Sequence, residues 1–307
     1  MAHVAFTKME GLGNDFIVID DFADEHCFTP DEIVRLCDRH FGIGADGVIV
    51  LRAPESSDAD ARWEFFNADG SRAEMCGNGI RCAARFLAES DHLSNDLSNN
   101  LSNDTKKHRA DDVTEVAIET AAGVRRVAIN RAQDGTFESA AVTMGAPIFE
   151  PAQVPTTFEA NSAHGVRNYP LTEKFTISAL SMGNPHVVID VAELDMKLEE
   201  VPVHSFGKLI GMNVAFPEGV NVGFYEVLES RGDCIALRVW ERGCGETLAC
   251  GTGACAAAVT ALLSKQVSSP VTVMLLGGNL TIDIEPDISE VTMTGPAEVV
   301  YHGTMVL

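Results

Sequence analysis

A chain of 307 residues with 46% apolar content can form two globular domains, each with its own core. A net charge of −23 argues against nucleic acid and anionic membrane surfaces, both of which would repel it. No apolar run is long enough to span a bilayer, and the opening Met1 to Lys8 stretch lacks the basic start and apolar core of a signal peptide, so a cytoplasmic protein is expected.

In chain order, Ala5 to Lys8, Phe16 to Asp20 and Val48 to Arg52 read as strands, with β-branched and apolar runs between Gly and Asp punctuation. Thr29-Pro30-Asp31-Glu32 opens a helix expected to reach His40, with Thr at the cap, Pro at the first position and acids in the first turn. Trp63 to Phe66 is a strand leading into an Asn67-Ala-Asp-Gly70 turn, and Ile80 to Leu87 is helical. Residues 90 to 112 break the pattern. Three Leu-Ser-Asn repeats between 93 and 104 disfavour a helix interior and predict a mobile surface insertion. Strands resume at Val113 to Ile118 and Val124 to Asn130, and a second unit begins near Gly145. Residues 151 to 170 read as loop. Strands follow at Phe175 to Leu180 and Val187 to Val191, then a helix near Phe206 to Met212, strands at Asn221 to Leu228 and Ile235 to Trp240, and a helix from Ala254 to Leu263. Many strands with one principal helix per half give an α+β class.

Eight cysteines in such a chain read as thiols rather than a disulfide framework. Cys27, Cys37, Cys82, Cys234 and Cys255 are expected to be small buried apolar residues. Cys244 stands between glycines close to the candidate site.

The remaining two cysteines carry the most information. Cys76 and Cys250 lie 174 positions apart in matching frames, Cys76-Gly-Asn-Gly79 and Cys250-Gly-Thr-Gly253. Each follows a ring residue, Phe66 or Trp240, by the same distance, and each opens a helix. A second pair, Gly13-Asn14-Asp-Phe-Ile-Val-Ile-Asp20 and Gly183-Asn184-Pro-His-Val-Val-Ile-Asp190, repeats at an offset of 170. Two similar domains follow from this, each offering one thiol at a helix N-terminus. There the unpaired N–H groups and the helix dipole stabilise a thiolate, so the thiol pKa is expected to fall, and they can also bind a carboxylate. Two thiols facing one carbon suit removal of a proton from one face and delivery of a proton to the other.

No phosphate loop or dinucleotide fingerprint is present, because Gly11-Leu-Gly-Asn-Asp-Phe16 precedes a strand rather than opening a helix. No lysine sits in an evident pyridoxal context. Cys76 with Cys82, and Cys244 with Cys250, have spacings that fit no zinc pattern. Neither a cofactor nor a metal is therefore expected.

At these residues the chain resembles the diaminopimelate epimerases, pyridoxal-independent enzymes of lysine and cell-wall biosynthesis. The matching segments are Gly11-Leu-Gly-Asn-Asp-Phe16, Phe66-Asn-Ala-Asp-Gly70, Met75-Cys-Gly-Asn-Gly79, Ser181-Met-Gly-Asn-Pro-His186, Glu241-Arg242 with Gly245-Glu-Thr247, Ala249-Cys-Gly-Thr-Gly253 and Met293-Thr-Gly-Pro-Ala297. The resemblance implies two pseudo-symmetric domains, 1–144 and 145–297, each a mainly antiparallel sheet wrapped around a central helix. The last strand, 298–307, would return to the first domain, and the active site would lie in the cleft between the domains. A homodimer is implied too. Carried over, Cys76 and Cys250 are the acid–base pair, tuned by His186 and Glu241. Asn14, Asn67, Asn184, Asn221, Glu241 and Arg242 would hold the substrate, and the backbones of Gly77, Asn78, Gly251 and Thr252 would cradle its carboxylate. The chain departs from the pattern at Gly47, where a glutamine is common, so that contact is expected to be absent or replaced by water, loosening the pocket. Cys244 also departs, standing where a small residue such as Ala is usual.

Three functions remain open at this stage. The first is epimerisation of LL- to meso-diaminopimelate. The second is racemisation or epimerisation of another amino acid on the same fold. The third is thiol redox chemistry at Cys76 and Cys250.

Overall fold

The computed structural model describes residues 3–73, 75–94, 114–121 and 123–306. The Leu-Ser-Asn repeats of the expected insertion lie outside the described residues, apart from the start of the first. The chain divides into two compact units: unit 1 comprises Met1–Val142 with Gly295–Leu307, and unit 2 comprises Thr143–Thr294.

Unit 1 begins with β1 (His3–Gly11) and β2 (Asn14–Asp20), joined through Leu12 and Gly13, both at positive φ. This pair of left-handed residues matches the twist of a hairpin. Helix α1 (Pro30–Cys37) follows, with a reciprocal capping box between Thr29 and Glu32. Next come β3 (Gly47–Arg52), β4 (Ala61–Asn67), the short β5 (Arg72–Ala73), helix α2 (Gly77–Glu89), β6 (Glu115–Thr120), β7 (Gly123–Arg131) and β8 (Phe137–Gly145). The last strand, β18 (Glu298–Val306), pairs antiparallel with β1. The sheet runs β18-β1-β2-β3-β4-β6-β7-β8, with β5 beside β4; only β2–β3 and β4–β6 are parallel. Helix α2 packs against β1, β2, β3, β6 and β7, so the sheet curls around it.

Unit 2 repeats this pairing strand for strand. It contains β9 (Val166–Pro170), β10 (Thr176–Ser181), β11 (Pro185–Asp190), helix α3 (Val203–Gly211), β12 (Asn221–Val227), β13 (Cys234–Glu241), β14 (Gly245–Thr247), helix α4 (Gly251–Leu263), β15 (Val271–Leu275), β16 (Gly278–Ile284) and β17 (Val291–Gly295). Its order is β9-β10-β11-β12-β13-β15-β16-β17, with β14 beside β13 and parallel pairs at β11–β12 and β13–β15. Strand β9 takes the place that β18 holds in unit 1. The α+β reading of two pseudo-symmetric halves is correct.

Helices α2 and α4 have 13 residues each, at the same 174-residue offset as the cysteines. Both open with small residues, and along α4 the small side chains let strands approach on every side. The α4 sequence Gly-Thr-Gly-Ala-Cys-Ala-Ala-Ala-Val-Thr-Ala-Leu-Leu is apolar all round, as suits a helix inside a sheet.

Three local readings need correction. Helix α1 ends at Cys37, short of His40, because the Asp38 carboxylate accepts from the N–H groups of His40 and Phe41 and turns the chain. Residues 151 to 170 are not all loop, since β9 pairs with β10 despite the positive φ of Asn168 and the terminal Pro170. Cys27 is exposed, while Cys37, Cys82, Cys234 and Cys255 are buried.

Helix α3 sits against β13 through two glycines. A Cβ at Gly207 would come 2.3 Å from the Trp240 Cβ, and one at Gly211 would come 2.2 Å from the Trp240 ring. Gly207→Ala is therefore expected to destabilise unit 2 by about 1–3 kcal/mol, an overpacking cost checked by urea denaturation. Unchanged stability would mean that the helix can slide off Trp240 freely.

Candidate active site

In unit 1, Cys76 is the N-cap of α2, with extended φ and ψ of −142° and 114°. Its sulfur accepts from the Gly79 N–H at 3.4 Å, and its own S–H donates to Asn14 Oδ1 at 3.8 Å. Asn14 opens β2, directly after the turn at Gly13. The same Oδ1 accepts from Asn78 Nδ2 at 3.2 Å, while Asn14 Nδ2 donates to Asp46 Oδ2 at 2.7 Å. Asp46 stands just before β3, where Arg39 bridges it to Asp15. Asn67 closes β4, and its Nδ2 donates to Ser71 Oγ at 3.0 Å across the Asn67–Gly70 turn. Thus Cys76, Gly77, Asn78 and Asn14 share one network, while Asn67 is held separately in its turn.

In unit 2, Cys250 is the N-cap of α4 and is 5% exposed. Its sulfur lies 3.6 Å from Thr252 Oγ1, and the Glu241 carboxylate is near enough to act on it electrostatically. Glu241 ends β13, and its Oε1 accepts from Thr247 Oγ1 at 2.5 Å. Asn221 opens β12, and its Oδ1 accepts from the Arg242 backbone N–H at 2.9 Å. The exposed Arg242 side chain donates to the Glu218 carbonyl. Asn184 follows Gly183, whose φ is +92°, and Asn184 Oδ1 meets His186 Nε2 at 2.9 Å.

The expectation of a lowered thiol pKa fails at Cys250. Burial pushes this thiol well above its usual value, the Glu241 carboxylate adds to the effect, and the opposing Thr252 and Gly253 contacts are smaller. A helix N-terminus lowers a thiol pKa, but full desolvation and an adjacent carboxylate outweigh it here. Cys250 therefore rests as a thiol beside the Glu241 carboxylate.

At Gly47 the vacated space is filled. A Cβ there would meet the Phe65 ring and the Phe66 carbonyl, both at 2.7 Å. The position thus holds an aromatic edge rather than a water-filled gap.

Sequence reasoning missed Asp46, Thr247 and Arg81. Arg81 is fully buried on α2 and donates to Asn78 Oδ1 and the Gly77 carbonyl. A signal was present: the duplicated frame puts Cys255 at this position in unit 2, so unit 1 carries a charge on a helix face that its twin keeps apolar.

Duplicated α+β units, each with a cysteine capping its central helix, define the class of protein to which this fold belongs. The family model described as diaminopimelate epimerase matches residues 6–150 and 178–300. Diaminopimelate epimerase of Teredinibacter turnerae is 41% identical over 305 residues, covering 98% of this chain and 99% of that protein. Its counterpart from Aromatoleum aromaticum is 44% identical over 299 residues, with 97% of each chain covered. The chain belongs to the diaminopimelate epimerase family. Among solved structures, a hydroxyproline epimerase from Agrobacterium vitis has the same fold, with a TM-score of 0.64 at 16% identity over 99% of this chain and 93% of that one. A Bacillus anthracis phenazine biosynthesis protein of the PhzF family matches with a TM-score of 0.59 at 16% identity over the full length of both chains.

Burial also sets the state of His186, which is 1% exposed. Desolvation lowers its pKa from 6.5 to about 3, so the folded ring is neutral. The unfolded chain binds the extra proton between those two values, so stability is untouched above pH 6.5 and is lost as pH falls toward 3. His186→Gln should remove one proton of uptake on unfolding, on the order of 1.4 kcal/mol per pH unit in that window. Urea titrations at pH 7 and pH 5 should show the variant losing less stability than the parent; parallel losses would contradict a buried neutral ring.

Proposed function

We propose that this protein interconverts LL- and meso-diaminopimelate without a cofactor, serving lysine and peptidoglycan precursor synthesis. Cys76 and Cys250 act as acid and base on opposite faces of the same α-carbon. The observation that carries this reading is the duplicated N-cap: the same residue type opens the central helix of each unit, in the same frame and with the same strand pairing around it.

In this reading the first-turn N–H groups at Gly77, Asn78, Gly251 and Thr252 receive the α-carboxylate and stabilise the charge that develops when Cα loses its proton. One sulfur, as thiolate, takes the Cα proton, and the other gives its S–H proton to the opposite face. The enzyme ends with the proton on the other cysteine, and the reverse direction exchanges the roles. Glu241, whose carboxylate acts on Cys250, serves to relieve that thiol of its proton. Asn14, Asn67, Asn184, Asn221, Glu241 and Arg242 hold the substrate, with Arg242 able to pair bidentately with its distal carboxylate. His186 orients Asn184.

We also propose a cytoplasmic homodimer. Among the described residues no helix is long and apolar enough to cross a membrane. Strand β18 exposes Val300, Tyr301 and Val306, and among the described residues it pairs only with β1, which leaves an edge for a second copy.

The test is incubation of reduced, pyridoxal-free protein with LL-diaminopimelate in deuterated water. Conversion to the meso isomer with deuterium at one α-carbon is expected. Cys76→Ala and Cys250→Ala should each fold yet lose turnover by about two orders of magnitude or more, the scale of a positioned acid or base. Near-normal turnover by either variant would sink the two-thiol scheme. Label in a different amino acid would move the activity to that substrate.

A further inference from the structure

We propose that Arg81 is a positioning residue for the Cys76 thiol: together with Asp46 it fixes the direction of a relay of two side-chain amides, so that the sulfur faces the carbonyl oxygen of Asn14 and not its amino group. The functional meaning of this inference rests on the acid–base role given to Cys76 above.

The argument depends on which groups can only donate and which can only accept. A guanidinium has no acceptor, so the Asn78 atom lying 3.1 Å from Arg81 Nη2 must be the amide oxygen. The Asn78 amino group is then turned to Asn14, whose facing atom, 3.2 Å away, must be an oxygen. At the other end Asp46 accepts from the Asn14 amino group at 2.7 Å and from the Asp15 N–H at 3.2 Å. Arg39 pairs with this carboxylate at 2.7 Å. Both ends therefore demand the same direction. The chemistry fixes it even though an amide's two ends look alike.

Arg81 is itself rigidly held. It is fully buried and also donates to the carbonyls of Gly77 and Pro296, each at 3.1 Å. A Cβ at Gly11 would lie 3.2 Å from Arg81 Nη2 and 3.3 Å from Asn78 Cβ, so the β1–β2 hairpin passes the relay as bare backbone.

The consequence falls on the sulfur. Asn14 Oδ1 accepts the Cys76 S–H but has no proton to offer a thiolate. It favours the thiol and makes the thiolate, once formed, a stronger base, which suits a weakly acidic Cα–H. The Gly79 N–H at 3.4 Å acts in the opposite direction. Reversal of the relay would bring the Asn14 amino group to the sulfur and favour the thiolate. Among the described residues unit 2 has no such relay: Thr252 and Cys255 occupy the positions of Asn78 and Arg81, and the Glu241 carboxylate acts on Cys250. The two sulfurs thus have different neighbours acting on their protons.

The test is a double-mutant cycle read by alkylation, independent of epimerase activity. Asp46→Asn, Arg81→Met and the double variant are treated with iodoacetamide at pH 7, and the rate at the Cys76 peptide is followed by mass spectrometry. In each single variant the remaining end still fixes the direction. In the double variant the relay can reverse, and Cys76 should react about tenfold faster than the product of the single effects, equivalent to a coupling of about 1.4 kcal/mol. Additive effects in folded variants would overturn the proposal. Should Arg81→Met not fold, neutron diffraction of the unaltered protein decides: deuterium on the Asn14 atom facing Sγ overturns it, and a bare oxygen there supports it. A coupled cycle in a protein inactive on diaminopimelate would leave the relay standing and remove only the proposed function.

Discussion

Everything in this fold depends on burying the N-terminus of a helix inside a sheet. A helix leaves its first N–H groups without internal partners, and in an apolar interior those donors must find acceptors. In each unit the capping residue is a cysteine, a weak acceptor compared with the Ser, Thr, Asp or Asn that usually serves. A helix start of this kind favours an anion, and the proposed function places the substrate carboxylate there. The small residues of α2 and α4 follow from the same constraint, since strands must pass close on all sides of the helix.

The balance of forces at the thiols is set by burial more than by the dipole. At Cys250 the dipole and the nearby hydroxyl favour the thiolate, yet desolvation and Glu241 prevail, and the proton stays on sulfur. Such a thiol is a poor resting nucleophile but a strong base once its proton is gone. Desolvation likewise keeps His186 neutral, so its ring serves as a hydrogen-bonding partner for Asn184 rather than as a charge.

The duplication conserves pairing but not chemistry. Strand for strand the two sheets agree, and Asn14 and Asn184 both follow a glycine at positive φ. Around the sulfurs the units diverge. Asn67 stands where unit 2 has Glu241, and Gly47 where it has Asn221. At Gly47 the Phe65 ring has closed the space. Each thiol consequently has its own set of neighbours, which a repeat with identical halves would not provide.

The cysteines, the asparagines and the repeat itself were legible in the sequence because each is a local pattern: glycines flanking a cap residue, a polar residue after a turn, an apolar run of helical or strand period. Strand β9 was hidden because Asn168 and Pro170 look like loop, and its pairing comes entirely from β10. The rise of the Cys250 pKa was equally hidden, since sequence places the helix terminus but not the depth of burial around it. Arg81 shows the division most clearly. The sequence determines that a guanidinium follows Asn78 by one helical turn. Only the tertiary fold brings the β1–β2 hairpin, Asp46 and Pro296 to that turn, and so converts a charge on a helix into a fixed direction for two amides.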